Sequence, residues 1–212
     1  TVAVSDDSLD AGGSIARIFL GNPAVDGAGR VAFRSSYFVN ALSPTLRVGI
    51  FTGLPGSTQP VVSGPSSLLP GDAAPGGGTF SGAFGHPLIN AAGQVAFSAT
   101  TTAGKHGLWA GSAGGTQLIA LAGEPAPGTT ALFPENPGGS LFELSGINDA
   151  GQVAFGSSLP GAVNSQERGI WAGLPGALQL AARTGAQAPG FAAGVTFTGF
   201  RTAPAFNEAG KV

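Results

Sequence analysis

The sequence predicts an all-β protein built from tandem units of four short antiparallel strands. Three observations lead to this prediction: a turn-and-strand motif that recurs at near-constant spacing, apolar residues that alternate within short runs, and 37 Gly and 16 Pro residues that separate those runs. Self-similarity at a fixed period is the main sequence sign of a repeat architecture. Frequent chain breakers between short apolar runs favour strands and turns over helices.

The motif reads Asn-Ala-Ala-Gly-Gln-Val-Ala-Phe at 90–97 and Asn-Asp-Ala-Gly-Gln-Val-Ala-Phe at 148–155. A copy that begins with Asp lies at 26–33, and a fourth occupies 207–212, so that the motif glycines are 64, 58 and 59 residues apart. Asn, Asp and Gly favour a turn because they tolerate a left-handed backbone at low cost. The Val and Phe that follow alternate with Ala, which predicts a strand with Val and Phe on one face.

Each interval between motifs contains three further predicted strands. The second strand is flanked by glycines, the third follows a tight turn, and the fourth follows a loop rich in Pro and Gly. The predicted ranges are 49–53, 107–111 and 169–173 for the second strand, 59–63, 117–121 and 179–183 for the third, and 79–84, 140–144 and 195–200 for the fourth. Residues 1–20 fit the same frame, with a third strand over 1–4 and a fourth over 15–20.

These segments predict a single repeat array over residues 1–212. Its parts are a partial first unit with its hairpin over 1–60, units over 61–117 and 118–179, and a partial last unit over 180–212. Four-stranded units of this kind are β-propeller-like, with an open β-array or a sandwich as alternatives, and they bury apolar faces against their neighbours. About three and a half blades cannot close a ring. We therefore expect a homo-oligomer or the continuation of a longer chain.

Composition excludes several classes of function. Charged residues make up 9% of the chain, against roughly 25% in an average soluble protein. The nine Lys and Arg residues are scattered, so nucleic-acid binding has no electrostatic footprint. No apolar run approaches the roughly 18 residues of a membrane span. The chain has no Cys, which excludes disulfides and thiolate chemistry.

The acidic stretch near the N-terminus is the weak metal candidate of the sequence. Asp6, Asp7 and Asp10 lie among Ser and Gly residues, and hard Ca²⁺ prefers such oxygen ligands. Their spacing departs from the EF-hand loop, so the alternative is a solvated turn. The only two histidines, His86 and His106, do not recur in the repeat, which favours loop roles over catalysis. We predict no catalytic residues and no cofactor besides this calcium candidate.

Three further sets of residues recur in the repeat and each has two interpretations. The first set consists of carboxylates, which either cap turns or pair as in glycosidases. The second consists of tryptophans, which either pack in the core or form an aromatic platform for a sugar. The third consists of the long polar residue after each motif glycine, which faces either solvent or a channel. We expect turn capping and core packing for the first two sets. The sets are Asp26, Asp72, Glu124, Asp149 and Glu208; Trp109 and Trp171; and Arg30, Gln94, Gln152 and Lys211.

The motif Asn-x-x-Gly-x-x-Ala-Phe, together with Gly-[Ile/Leu]-Trp-Ala-Gly and Pro-Ala-Pro-Gly, resembles the NxxGxxAF tandem-repeat family. Residues 90–97 and 148–155 match the motif fully, and 26–33 differs by Asp26 at the first position. More loosely, the unit is similar to the Asp-Gly-x-x-x-Ala-Phe blades of periplasmic translocation-type propellers. The family consists of exported bacterial proteins with varied anchors, often with a PEP-type sorting signal. The resemblance therefore implies an extracellular or cell-surface location and brings no catalytic residues.

The sequence as a whole predicts a non-catalytic extracellular or cell-surface structural or interaction protein, built from β-repeats and self-assembling. The alternative is a carbohydrate- or Ca-binding β-propeller module, with a surface glycan as partner. We do not expect an enzyme, because no acid/base set recurs or converges.

Overall fold

The computed structural model describes residues 14–17, 22–38, 45–67, 69–135, 142–158, 168–200 and 204–212. In these ranges all regular secondary structure is β, in fourteen strands that form three antiparallel sheets. The first sheet contains β1 (Ser14–Arg17), β2 (Ala24–Val25), β3 (Val31–Phe38), β4 (Leu46–Leu54) and β5 (Ser57–Ser63). The second contains β6 (Phe80–Phe84), β7 (Leu88–Ile89), β8 (Val95–Thr101), β9 (His106–Ser112) and β10 (Gly115–Leu121). The third contains β11 (Phe142–Ile147), β12 (Val153–Ser158), β13 (Arg168–Leu174) and β14 (Ala177–Arg183). The all-β prediction is confirmed.

All three sheets share one plan, an antiparallel meander. The strand that follows each motif turn (β3, β8 or β12) pairs with the glycine-flanked strand, which in turn pairs with the strand after the tight turn. The register is also the same, since Phe33, Phe97 and Phe155 lie opposite Phe51, Trp109 and Trp171 respectively. The first three predicted strands of each unit are therefore present in all three sheets.

The fourth predicted strand belongs to the sheet of the following motif. β6 pairs with β8, and β11 pairs with β12, so each sheet begins with the strand that the sequence frame placed last. The chain segments that follow β5 and β10, here called the crossing loops, consequently lead from the outer strand of one sheet to the first strand of the next, β6 or β11. The chain thus links neighbouring sheets covalently at every repeat.

The fourth strand predicted over Val195–Phe200 is wrong. This segment contains only an isolated bridge between Gln187 and Thr196. In the other sheets this segment pairs with the strand after the motif turn. Here the backbone bonds of Val195 and Phe197 run instead to the preceding loop, at Gly185, Ala186 and Ala188. The strand predicted over 1–4 lies outside the described residues.

The sheets stack face to face, and the two faces of each sheet differ. In the second sheet Val95, Phe97 and Trp109 lie on one face, while Ala96 and Leu108 lie on the other. The first face packs against aliphatic residues of the first sheet, and the second packs against the aromatic face of the third. Both faces of the second sheet are therefore buried, which explains why consecutive residues of β8 and β9 are apolar.

Each sheet carries a set of close aromatic rings on its first face. In the second and third sheets four rings pack together, with centroid separations from 5.0 to 6.4 Å. Such pairs add about 0.5–1.5 kcal/mol each beyond the burial of apolar area. The rings are Phe80, Phe84, Phe97 and Trp109 in the second sheet, and Phe133, Phe142, Phe155 and Trp171 in the third. We call each of these sets an aromatic quartet.

The tryptophan of each quartet also holds the crossing loop. Trp109 Nε1 donates to the carbonyl of Pro75 at 3.0 Å, and Trp171 Nε1 donates to that of Pro127 at 2.9 Å. Both prolines follow a buried alanine, Ala74 or Ala126. A buried indole N–H requires an acceptor, and the Pro/Gly loop supplies one at the same place in each repeat.

Candidate functional site

The polar residues of the repeat meet at the four motif turns. These turns, over 26–30, 90–94, 148–152 and 207–211, are joined by hydrogen bonds from each turn to the next. We call this row of turns the turn ladder. It connects polar side chains that recur at the same place in every repeat.

Within a turn, the asparagine closes the loop on itself. The Gly93 amide donates to the Asn90 carbonyl at 2.9 Å, and the Asn90 amide donates to the Gln94 carbonyl at 3.1 Å. The Asn90 side chain adds two bonds: Oδ1 accepts from the Gln94 amide, and Nδ2 donates to Gln94 Oε1, both at 2.8 Å. Asn148 and Gln152 repeat this arrangement. The side chain therefore satisfies backbone groups that the turn leaves without strand partners.

Between turns, the same side chains reach forward. Asn90 Nδ2 donates to the Asn148 carbonyl at 2.7 Å, and the Ala91 amide donates to Asp149 Oδ1 at 2.7 Å. One repeat later, Asn148 Nδ2 donates to the Glu208 carbonyl at 3.4 Å. The Asp149 amide donates to Glu208 Oε2 at 2.7 Å. The second and third boundaries are thus each bridged by an amide side chain in one turn and a carboxylate in the next.

The long residue after each motif glycine lies across the next turn. An added Cβ on Gly151 would be 2.9 Å from Gln94 Oε1, and one on Gly210 would be 2.5 Å from Gln152 Oε1. Arg30 fills the same place at the first boundary, where its Nη2 donates to the Ala91 carbonyl. Arg30, Gln94 and Gln152 are half-buried, because the next turn packs against one side of each while the rest stays exposed. The expectation that they face solvent or a channel stays a prediction. Lys211 is exposed.

The first turn is built around an ion pair. Asp26 replaces the asparagine, and its Oδ2 accepts from Arg30 Nε at 2.6 Å. Burial of the carboxylate acts to raise its pKa. The hydrogen bonds from the Arg30 side chain, the Arg30 amide and the Ala28 amide, together with the Arg30 charge, outweigh this effect. The pKa of Asp26 therefore lies below its usual value.

Three of the other repeat carboxylates accept hydrogen bonds from backbone amides. Asp72 Oδ2 accepts from the Ser63 amide at 2.7 Å, and Arg47 lies 3.4 Å from its other oxygen. Asp149 and Glu208 accept the inter-turn bonds described above. Glu124 lines a surface cavity beside β10. Asp26 therefore caps its own turn, whereas Asp149 and Glu208 accept from the preceding turn and Asp72 accepts from the end of β5.

The aromatic platform alternative is wrong, since Trp109 and Trp171 are both 0% exposed. His86 is exposed, and His106 Nδ1 lies 3.3 Å from Thr100 Oγ1.

The calcium candidates Asp6, Asp7 and Asp10 lie outside the described residues, so the calcium site stays a prediction. Within the described ranges no three His, Asp or Glu side chains are placed to hold a metal. In the same ranges there is no helix of the length and hydrophobicity that crossing a membrane requires.

In the second and third sheets a groove lies between the tight hairpin and the neighbouring turn. Beside β9 and β10 it has a volume of about 230 Å³ and is lined by Gln94 and Gln117, and by Leu174 and Pro175 from the next hairpin. Beside β13 and β14 the equivalent groove has a volume of about 410 Å³. The hairpin tip of the next repeat therefore borders the groove of its predecessor.

Sequence reasoning found the turns and missed the bonds between them. The signal was the recurrence of Arg, Gln, Gln and Lys next to the motif glycine. A long side chain that recurs beside a glycine present in every repeat indicates that this side chain lies over the glycine of the next repeat, which has no side chain to obstruct it.

These features define the molecule as an all-β tandem-repeat protein with a polar ladder of turns. The chain belongs to a family of unknown function, DUF7453, whose family model matches residues 1–212. No curated protein and no solved structure matches it.

Proposed function

We propose that this protein is a non-catalytic structural or interaction protein of the bacterial cell exterior that assembles through its β-repeats. One observation carries the proposal: the repeated polar side chains join one repeat to the next. Asn90, Asn148, Asp149 and Glu208 all bridge turns. A scaffold requires repeated side chains that bond one repeat to the next. An enzyme or a lectin instead needs its amide and carboxylate side chains free to bind a ligand.

The proposed architecture is propeller-like. Meander sheets that stack face to face, with a loop from the outer strand of one to the first strand of the next, are the usual plan of propeller blades. A repeat array is held by nearest-neighbour interfaces, so its ends are the natural sites of assembly. The proposed location outside the cell rests on the resemblance to exported NxxGxxAF proteins.

The alternative function is a carbohydrate-binding module. The groove beside β9 and β10 favours it, because Gln94 and Gln117 place amide groups at its wall. Amides suit sugar hydroxyls, yet the walls described for this groove include no aromatic ring on which a sugar could stack. We therefore rank this function second.

Light scattering after size-exclusion chromatography, with negative-stain electron microscopy, tests the proposal on the purified 212-residue protein. We expect particles that contain several chains and a flat response on a glycan array. A strictly monomeric protein that binds a defined glycan would replace the scaffold function with the carbohydrate-binding one.

Location needs its own experiment. Intact cells treated with an external protease, followed by immunoblotting, should lose the protein while a cytoplasmic control protein survives. Complete protection in intact cells and loss only after lysis would contradict an exterior location.

A further inference from the structure

We propose that the cavity beside β10 binds an extended, basic peptide segment of another protein, which adds to the free edge of this strand. The inference goes beyond the proposed function, because it concerns a site in the middle of the array and does not require the chains to assemble. The cavity has a volume of about 590 Å³. It is lined by residues 118–121 of β10, by Glu124 and Phe133 after that strand, and by Leu178 of β14. We call it the edge groove.

The edge groove follows the side of β10 rather than one of its faces. Successive side chains of a strand point to opposite faces, so a cavity that touches four residues in a row lies along the strand edge. Within the described ranges β10 pairs only with β9, so no strand occupies this edge. Ile119, Ala120 and Leu121 are 7%, 4% and 3% exposed and form the floor of the groove.

Alternate backbone amides of β10 face away from β9 and toward the groove, because neighbouring residues of an antiparallel strand bond to opposite sides. The Ala122 amide donates to the His106 carbonyl of β9 at 2.8 Å. The preceding residue, Leu121, therefore directs its amide to the free edge, while its carbonyl already accepts from the Glu124 amide at 3.1 Å. The edge thus retains a donor for a further strand.

The first sheet has the corresponding edge in a closed form. Its outer strand β5 has Pro60 opposite Phe51, where β10 has Leu118 opposite Trp109. A proline inside a strand is accepted where the missing N–H would have faced the free edge, and it keeps a further strand from pairing there. Leu118 therefore directs to the groove an amide that Pro60 does not have.

The rim of the edge groove is acidic. Glu124 lines the groove and is exposed. The Glu135 carboxylate lies over Gly123, the residue next to Glu124. None of the ion pairs among the described residues includes either carboxylate. A Lys or Arg on the bound segment would supply the complementary charge.

These features select an extended peptide with alternating apolar side chains and a basic residue. In strand addition the backbone bonds supply affinity, and pockets for alternate side chains supply specificity. Leu118, Phe133 and Leu178 provide apolar walls for such side chains. Four residues of a strand span about 13 Å, so residues 118–121 offer an edge for a segment of about four residues.

Three synthetic octapeptides test this inference on the purified 212-residue protein by fluorescence anisotropy. Each carries a fluorophore and alternates Val with Thr between two end residues, which are Lys, Gln or Glu. We expect saturable binding of the Lys peptide, then weaker binding of the Gln peptide and the weakest of the Glu peptide. The Lys and Glu peptides should differ at least about fivefold, as expected for two exposed ion pairs. No binding of the Lys peptide, or equal binding of all three, would overturn the inference.

Two variants at one position separate strand addition from contact with a side chain. Leu118→Pro and Leu118→Ala both remove the leucine side chain, but only the first removes the amide, as Pro60 does in β5. Leu118→Pro should bind the Lys peptide at least about tenfold more weakly than Leu118→Ala, because a backbone bond is lost and the ring obstructs the edge. Equal affinities would show that the peptide does not add to the strand and would overturn the inference.

The acidic rim has its own variant and a matched control. Glu124→Gln with Glu135→Gln should weaken binding of the Lys peptide and leave that of the Gln peptide unchanged. Glu143→Gln removes a carboxylate that pairs with Arg168, away from the residues that line the groove, and should leave all binding unchanged. Circular dichroism confirms that each variant is folded. Equal effects of the rim and control variants would overturn the inference. The scaffold function is tested separately by light scattering, so it stands if the peptides do not bind.

Discussion

At the scale of single residues, the motif glycine answers two requirements. Gly151 has a φ of 78°, a left-handed conformation that costs other L-residues about 1–2 kcal/mol. It also lies directly beneath the Gln94 amide of the preceding turn. Gly29 has the same conformation, with a φ of 79°, but nothing lies within 4 Å of where its Cβ would be. The two positions therefore separate backbone strain from inter-repeat contact.

Gly151→Ala should destabilise the protein more than Gly29→Ala. Both variants carry the strain of a left-handed alanine, and only the first places a methyl group 2.9 Å from Gln94 Oε1. We expect an excess of about 0.5–1.5 kcal/mol in the free energy of unfolding, because Gln94 Oε1 ends a flexible side chain that can move aside by losing its hydrogen bond from Asn90 Nδ2. Chemical denaturation measures it, and adding Gln94→Ala to Gly151→Ala should remove most of the excess. Equal costs at Gly29 and Gly151 would show that the inter-turn contact is unimportant.

Asp26 gives the first turn a dependence on pH. Because its folded pKa is depressed, the ionised carboxylate contributes stability that is present above the ordinary pKa of about 3.9. That contribution is lost as the pH falls through the folded value. Asp26→Asn keeps the turn chemistry of the other repeats and does not titrate. The wild type should therefore exceed this variant in stability at pH 7, and the gap should close on acidification. A gap that is constant from pH 7 to pH 2 would contradict the ion-pair account.

At the scale of elements, the glycine-flanked strand carries a residue that joins three parts of the fold. Trp171 stacks on Phe155 with centroids 5.8 Å apart, contacts Phe133 edge-on, and donates to the Pro127 carbonyl. In the first sheet the same position is Phe51, which stacks on Phe33 in the same way. The aromatic stack is therefore common to all three sheets, while the tie to the crossing loop requires an indole.

Trp171→Phe should keep the stack and lose the loop tie. We expect a loss of about 1–3 kcal/mol, from the unpaired Pro127 carbonyl and the smaller ring. Trp171→Ala should cost about 3–5 kcal/mol, because it empties the quartet. Denaturation followed by the fluorescence of the remaining tryptophan, Trp109, measures both. Equal costs for the two variants would mean that the stack contributes little.

The sequence could predict the strands because each carries its own local signals. Glycines flank the second strand, and alternating Val and Phe mark the first. It could not place the fourth strand with the following repeat, because local signals show where a strand lies but not which sheet it joins, and β6 reaches β8 across β7 and the motif turn. The failure at Val195–Phe200 has the same origin: Phe alternation is a local property, but a strand also needs a partner. The bonds from Asn90 to Asn148 were equally out of reach, since they join residues 58 positions apart.

At the scale of the whole molecule, cohesion comes from two parallel contacts at every boundary. The aromatic face of one sheet packs on the aliphatic face of its predecessor, and the turn ladder bonds the same two repeats along one edge. Both contacts are between nearest neighbours, so stability should spread along the array from repeat to repeat. Most of the described carboxylates and amides of the turn ladder already bond one turn to another. This use of the side chains supports the proposed scaffold function.

The most direct test of this cohesion is native-state hydrogen exchange in the variant Asn90→Asp. Aspartate keeps the acceptor for the Gln94 amide, as Asp26 does for Arg30 in the first repeat, but removes the Nδ2 donor, which bonds Gln94 Oε1 within the turn and the Asn148 carbonyl in the next. The account predicts a loss of about 1–3 kcal/mol and faster exchange in both the second and the third sheets. Faster exchange confined to residues 90–94, with the free energy of unfolding unchanged within about 0.5 kcal/mol, would contradict it.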